Sequence, residues 1–306
     1  MRAVAAIIPL LSRRGLLRLA RIAGAGFYRF DAHSRRVALE NLRAAFPEMS
    51  ERRRELIARG SARNFARTFL DLFWARNLTK ENYTQFTRVT GAEHFRENFS
   101  SAGGHIGCCA HFGNFEWASI LSGFVSNPSW IVAQEFKNER LDIIMNSARE
   151  VSGHQVVPRT SVLRKMLRAL KSGEGVGLLV DMTLPPEMPS VALRAFGGLR
   201  ICAPILHVIL HERTQVPMTP LSAVPRHDGT YDMVYHPEHV YTPGESHAEM
   251  AQAAWDVHEA MIRRRPSLWL WSYKHFRYLP EHPEAAYPWY AQIHPAFEKL
   301  LQGQPA

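Results

Sequence analysis

Apolar positions recur along this chain with two different periods. From about Pro9 to Phe30, a step of 100° per residue gathers Arg13, Arg14, Arg18 and Arg21 into one arc. Leu16, Leu19, Ile22, Ala23, Phe27 and Phe30 fall largely opposite, which predicts an amphipathic helix. Ser34 to Asn41 and Ser50 to Trp74 read as two further helices divided by Phe46-Pro47, the second opened by Ser50. The pattern then changes. His105 to Ala110 is short and mainly apolar, runs into His111-Phe112-Gly113-Asn114-Phe115-Glu116, and gives way to a helical Trp117 to Gly123, hence strand, tight turn, helix. Val176 to Met182, Val216 to Val224 and Tyr231 to Tyr235 predict more strands, and His247 to Arg264 predicts a long helix stopped by Pro266. Ser267 to Tyr273 alternates with period two, setting Trp269, Trp271 and Tyr273 on one face. These elements predict an α/β fold with a mixed central sheet flanked by helices and led by a helical N-terminal segment.

Composition narrows this picture. With 306 residues, 46% hydrophobic and 21% charged, the chain has material for a large core and is neither disordered nor a polytopic membrane protein. Its net charge of +9 is unevenly placed: residues 1–80 hold 17 basic and 6 acidic side chains, the remainder 20 and 22. A cationic front suits an anionic membrane surface, an acidic carrier protein or nucleic acid. No helix-turn-helix pattern or aromatic-laced basic surface supports the last, so no nucleic acid partner is expected. The opening apolar run, Ala3 to Leu11, is about half of the roughly 20 residues that span a bilayer, and Arg13-Arg14 end it. Basic residues also stand where a cleavable signal would need small ones, so the segment is expected to be retained and to lie in the membrane interface. The organisation expected is a membrane-associating segment over 1–30, a catalytic domain over 31–280 and a peripheral tail over 281–306.

The chemistry centres on His111 and Glu116. Two other histidines stand five residues before an acid, but His207/Glu212 lies in an apolar run and His227/Asp232 brackets the Asp228-Gly229 turn. At a strand-to-helix junction Gly113 lets the backbone turn, and Glu116 can reach back to the imidazole. A carboxylate so placed fixes the tautomer and leaves the other ring nitrogen to take a proton from a hydroxyl. No G-x-S-x-G elbow, Walker loop or HExxH motif occurs. Cys108, Cys109 and Cys202 form no disulfide or zinc pattern, and His207/His211 and His236/His239 lack a third ligand, so no metal is expected. Direct attack by an activated substrate hydroxyl is the economical chemistry.

These residues carry a resemblance. His111–Glu116 resembles the histidine-x4-acid motif of glycerolipid-type acyltransferases, in the glutamate form of the lipid A late acyltransferase family. Arg36-Val37-Ala38-Leu39-Glu40-Asn41-Leu42, Ala45-Phe46-Pro47-Glu48, Gly175 to Asp181, Phe196-Gly197-Gly198 and Pro266 to Arg277 follow in the family's order, covering roughly 15–280. The resemblance implies a glycerol-phosphate-acyltransferase-like fold and transfer of a fatty acyl chain to a hydroxyl of a phosphorylated glycolipid, with no cofactor beyond the acyl co-substrate. The donor would be carried by acyl carrier protein or coenzyme A, at the cytoplasmic face of the inner membrane. By position, His111 would be the base and Glu116 its orienting partner. Arg149 would meet phosphate or intermediate charge, Asp181 would be the acid ending a central strand, and Gly113 and Asn114 would shape an oxyanion site, a role that backbone donors at the helix start could fill equally. The chain departs from the family in its arginine-interrupted N-terminus and in Gln134-Glu135-Phe136-Lys137-Asn138. A different lipid acceptor, a thioesterase or lipase-like hydrolase, and a non-catalytic membrane scaffold are the alternatives.

Overall fold

The computed structural model describes residues 2–92, 104–133, 138–158 and 162–303; of the departing segment 134–138, only Asn138 is among them. A helical front comprises α1 (Arg2–Ile7), α2 (Arg13–Phe30), α3 (Ala32–Ala45) and α4 (Glu51–Trp74). The strands are β1 (Thr87–Thr90), β2 (His105–Cys109), β3 (Ser129–Ala133), β4 (Gln155–Pro158), β5 (Gly175–Leu179), β6 (Ser190–Ala195), β7 (Leu199–Pro204), β8 (Met218–Pro225) and β9 (Tyr231–Tyr235). Between and after them run α5 (Phe115–Val125), α6 (Glu139–Arg149), α7 (Val162–Lys171), α8 (Leu206–Thr214), α9 (His247–Arg264) and α10 (Pro295–Leu301). Seven strands form one sheet in the order β1-β9-β8-β2-β5-β3-β4, parallel except for the β8–β9 hairpin. Crossover helices cover both faces, as parallel pairing requires. Alternation along β2 separates the two cores: Ile106 and Cys108 join Met166, Val208 and Trp255, whereas Cys109 joins Phe73, Trp117 and Met145.

The α/β expectation holds, and three local expectations do not. First, Arg13 does not face outward with Arg14, Arg18 and Arg21. Ser12 caps α2, accepting from the Gly15 amide at 3.2 Å, and Arg13 turns inward to pair with the buried Asp71. Its guanidinium lies 4.6 and 4.9 Å from the Trp74 and Trp117 ring centroids and donates to the Gly229 carbonyl at 2.7 Å. The inward face of α2, Leu16, Ala20 and Gly24, packs along α4 so closely that a Cβ at Gly24 would stand 2.5 Å from the Arg63 Cα. Second, Ser267 to Tyr273 is no strand: a 3₁₀ turn over Pro266–Leu268 leads to one isolated bridge from Trp269 to Phe112, and both Trp269 and Trp271 are buried. Third, the tail returns to the body. Phe297 of α10 is buried beside Tyr278, and the Tyr290 hydroxyl meets Asn41, whose amide holds the Trp271 and Tyr273 carbonyls at 2.7 Å each.

Several histidines away from the His111 turn are buried and held neutral. Burial pushes His105 and His207 down to about 3 and His258 and His275 down to about 4. These groups remain neutral in the fold at pH values where the unfolded chain, with histidines near 6.5, takes up protons. Their contribution is present above about pH 6.5 and is lost as pH falls toward 4. The urea midpoint should therefore drop steadily from pH 7 to pH 5, each histidine costing at most about 1.4 kcal/mol per pH unit; a midpoint flat across that range would contradict the assignment.

Candidate active site

The turn after β2 is built by its neighbours. Gly113 adopts φ +61°, and a Cβ there would lie 2.3 Å from the Ala223 carbonyl oxygen of β8, so no other residue fits without moving the sheet. Its amide donates to the Leu268 carbonyl at 3.0 Å, and its carbonyl accepts from Asn64 and Thr68 of α4 at 2.7 and 3.1 Å. Asn114 is fully buried: its amide donates to the Ala223 carbonyl, its Oδ1 caps α5 through the Trp117 amide at 3.0 Å, and its Nδ2 reaches Asp71 and the Tyr231 hydroxyl. With every one of these groups committed, Gly113 and Asn114 shape the turn and do not present an oxyanion site.

His111 is oriented by Asp181, not by Glu116. The pairing of β2 with β5 sets Cys109 opposite Leu179, and two residues beyond that pair the chain places His111 opposite Asp181. The imidazole Nδ1 and Asp181 Oδ1 are 2.8 Å apart, and the His111 amide donates to Oδ2 at 2.8 Å. Trp269 Nε1 donates to the same oxygen at 2.8 Å. Burial by itself would raise this carboxyl, but the adjoining imidazole and these donors outweigh it and hold Asp181 well below the usual carboxylate range. A carboxylate on Nδ1 sets the tautomer with the proton on that nitrogen. Nε2, without a hydrogen-bond partner among the described residues, is left for the cavity that the ring lines.

Glu116 faces elsewhere because it sits in the first turn of α5, on the side toward α6. There Arg149 grips it with two bonds, Nε to Oε2 at 3.0 Å and Nη2 to Oε1 at 2.8 Å. Asn146 takes another Arg149 donor at 3.1 Å. The expected cation is thus present on the cavity wall with its charge offset. Spacing alone makes no pair in the two rival motifs either: Glu212 meets His247, and Asp232 meets Arg226.

The cavity holds about 1040 Å³ and is mostly apolar. Alternate residues of β2, His105, Gly107 and Cys109, form its floor with Gly177 and Leu179 of β5, and Glu116, Ser119 and Ser122 line the facing side of α5. From His111 back to His105 the floor runs about 20 Å at strand rise. Burial pushes the Cys108 and Cys109 thiols up, against a nucleophilic role. No group of three or more metal-binding side chains occurs among the described residues. Sequence reasoning missed Trp269 as an Asp181 donor, and Asn64, Thr68 and Asp71 as supports of the turn. Only Trp269 carried a signal, the aromatic run whose indole nitrogens need partners when buried.

With this geometry in hand, the comparisons with known proteins are specific. Residues 1–278 match the family of bacterial lipid A biosynthesis acyltransferases. The chain is 25% identical over 260 residues to the lipid A biosynthesis lauroyltransferase of Escherichia coli (strain K12), covering 83% of this chain and 82% of that protein. Among solved structures it is similar to the 1-acyl-sn-glycerophosphate acyltransferase PlsC of Thermotoga maritima, at 17% identity and a TM-score of 0.39, over 81% of this chain and 95% of that one. The chain therefore belongs to the bacterial lipid A biosynthesis acyltransferase family and is an acyltransferase.

Proposed function

We propose that the protein moves a fatty acyl chain from a thioester on acyl carrier protein to a hydroxyl of a phosphorylated lipid A precursor, at the cytoplasmic face of the inner membrane. In this reading His111 is the general base and Asp181 the carboxylate that orients it. The observation that carries it is the imidazole on the wall of a long apolar cavity with Nδ1 committed to Asp181 and Nε2 free to accept. The acceptor hydroxyl gives its proton to Nε2 as its oxygen attacks the thioester carbonyl. The C–O bond forms, the C–S bond breaks, and the thiolate takes the proton back from the imidazolium that Asp181 stabilises. No acyl-enzyme is needed. The first amides of α5, on Phe115 and Glu116, have no intrahelical partner and are suited to the oxyanion of the tetrahedral intermediate. Arg149, offset by Glu116, acts as a directed donor. Arg277, on the cavity lining without a carboxylate partner among the described residues, suits an anionic group of a substrate.

The cationic front complements both an acidic carrier protein and an anionic bilayer. No helix among the described residues is long and apolar enough to cross a membrane. Contact through the front is favoured instead by Leu10 and Phe30, 82% and 83% exposed.

Mass spectrometry of a reaction holding acyl carrier protein thioester and lipid A precursor should show an acylated lipid; free fatty acid alone would place the protein among hydrolases. His111→Ala should lower kcat by roughly 10²–10⁴ with little change in KM. Asp181→Asn should fall in the same range, because an amide offers Nδ1 a donor and drives the proton to Nε2. Retained turnover in either variant would refute these roles.

Chain length should be set where Gly107 and Gly177 lie side by side on the floor. A Cβ at Gly177 would stand 2.5 Å from the Ile131 Cδ1, and one at Gly107 would stand 3.0 Å from the Leu221 Cδ2. Gly177→Ala should cut kcat/KM for the longest donors at least ~10-fold, about 1.4 kcal/mol of fit, and spare short ones. Kinetics with thioesters of graded length would show it, and a uniform loss across the series would contradict it.

A further inference from the structure

A second concavity, of about 440 Å³, lies between α2, α3 and α4, remote in chemistry from the acyl cavity. Arg29, Arg35, Arg59 and Arg63 wall it with Tyr28 and Glu55, so four guanidinium groups face one carboxylate. Two of the four are already engaged. Arg35 donates to the Tyr28 and Arg29 carbonyls at 2.8 and 2.9 Å, and Arg59 pairs with Glu55. Both lie against the Tyr28 ring, 5.7 and 5.4 Å from its centroid, which stiffens one wall. Arg29 and Arg63 are exposed and have no carboxylate partner among the described residues. A concave site with two uncompensated planar donors and two pre-ordered ones matches the oxygens of a phosphate group.

The apolar surroundings narrow the source of that phosphate. On α2 the exposed residues Leu19, Ile22 and Phe30 share one arc, with Ile22 70% exposed, between the face buried against α4 and the arc carrying Arg14, Arg18 and Arg29. A soluble phosphate compound has no use for such a border; an amphiphile does, its headgroup on the arginines and its chains level with the apolar residues. We propose that this cleft seats the phosphate of an anionic membrane lipid, with Arg29 and Arg63 as its principal ligands. The proposal rests on the membrane-surface reading above and supplies its point of attachment. The residue after Arg63, Asn64, donates to the Gly113 carbonyl, so a single turn of α4 joins the lipid seat to the catalytic turn.

The test uses the full chain and sedimentation with vesicles of phosphatidylcholine, alone or mixed with phosphatidylglycerol. The double variant Arg29→Gln/Arg63→Gln is compared with Arg14→Gln/Arg18→Gln, which removes equal charge from exposed positions of α2 outside the cleft. Non-specific attraction of about 1 kcal/mol per arginine accounts for a loss of up to ~30-fold in partition to phosphatidylglycerol vesicles for either pair, and the cleft pair should lose at least ~10-fold more than the control pair. Acyl transfer in detergent micelles should persist in both, since neither pair belongs to the catalytic machinery. Equal losses in the two variants would mean a diffuse cationic surface and overturn the seat while leaving membrane contact intact. Wild-type protein that ignores phosphatidylglycerol vesicles would remove both the seat and the membrane reading. Glycerol phosphate protecting the wild type, but not the cleft variant, from thermal unfolding without vesicle partition would assign the cleft to a soluble phosphate and likewise overturn the lipid.

Discussion

The site depends on one buried negative charge. Asp181 is 1% exposed, and a carboxylate so deep is costly unless its oxygens are occupied by donors. Here the chain supplies three: an amide and an imidazole N–H from the turn after β2, and an indole N–H from the segment after α9. The group that orients His111, the proposed base, is therefore also the group that joins two adjacent strand ends to the C-terminal aromatic segment. This puts the His111–Asp181 pair at the carboxyl edge of parallel strands, where an open α/β sheet leaves a crevice.

A second buried carboxylate does the same on the far side of the turn. Asp71 of α4 gathers Arg13 from α2, Tyr231 from β9 and the amide of Asn114, which in turn caps the helix that carries Glu116. The N-terminal segment is thereby fastened to the turn after β2 rather than hung beside it. A disturbance of α2 has a short physical route to the turn that holds His111, through Arg13, Asp71 and Asn114.

Local elements were legible in the sequence because they follow from period, capping and stop signals: α4 behind Ser50, α9 ahead of Pro266, the β8–β9 hairpin around Asp228-Gly229, and the strand, turn and helix around His111. His111 and Asp181 were both legible as candidates. Which carboxylate serves the imidazole was not, because a spacing of five residues suggests a local pair, while the real pairing is set by the register of β2 against β5, 70 residues apart. Arg13 misled for a related reason: helical periodicity places a side chain on an arc, but a buried acid elsewhere in the chain decides which arc is inside. The β6–β7 hairpin, turning at Phe196 and Gly197 with positive φ, had no alternating pattern strong enough to announce it.

Proton and nitrogen NMR of the His111 ring in the wild type, Asp181→Asn and Glu116→Gln shows whether Asp181 or Glu116 sets the state of His111. With Nδ1 bonded to Asp181, a downfield Nδ1 proton should be present in the wild type, survive Glu116→Gln and vanish in Asp181→Asn. Loss of that proton on changing Glu116, with its retention on changing Asp181, would contradict the Asp181 pairing.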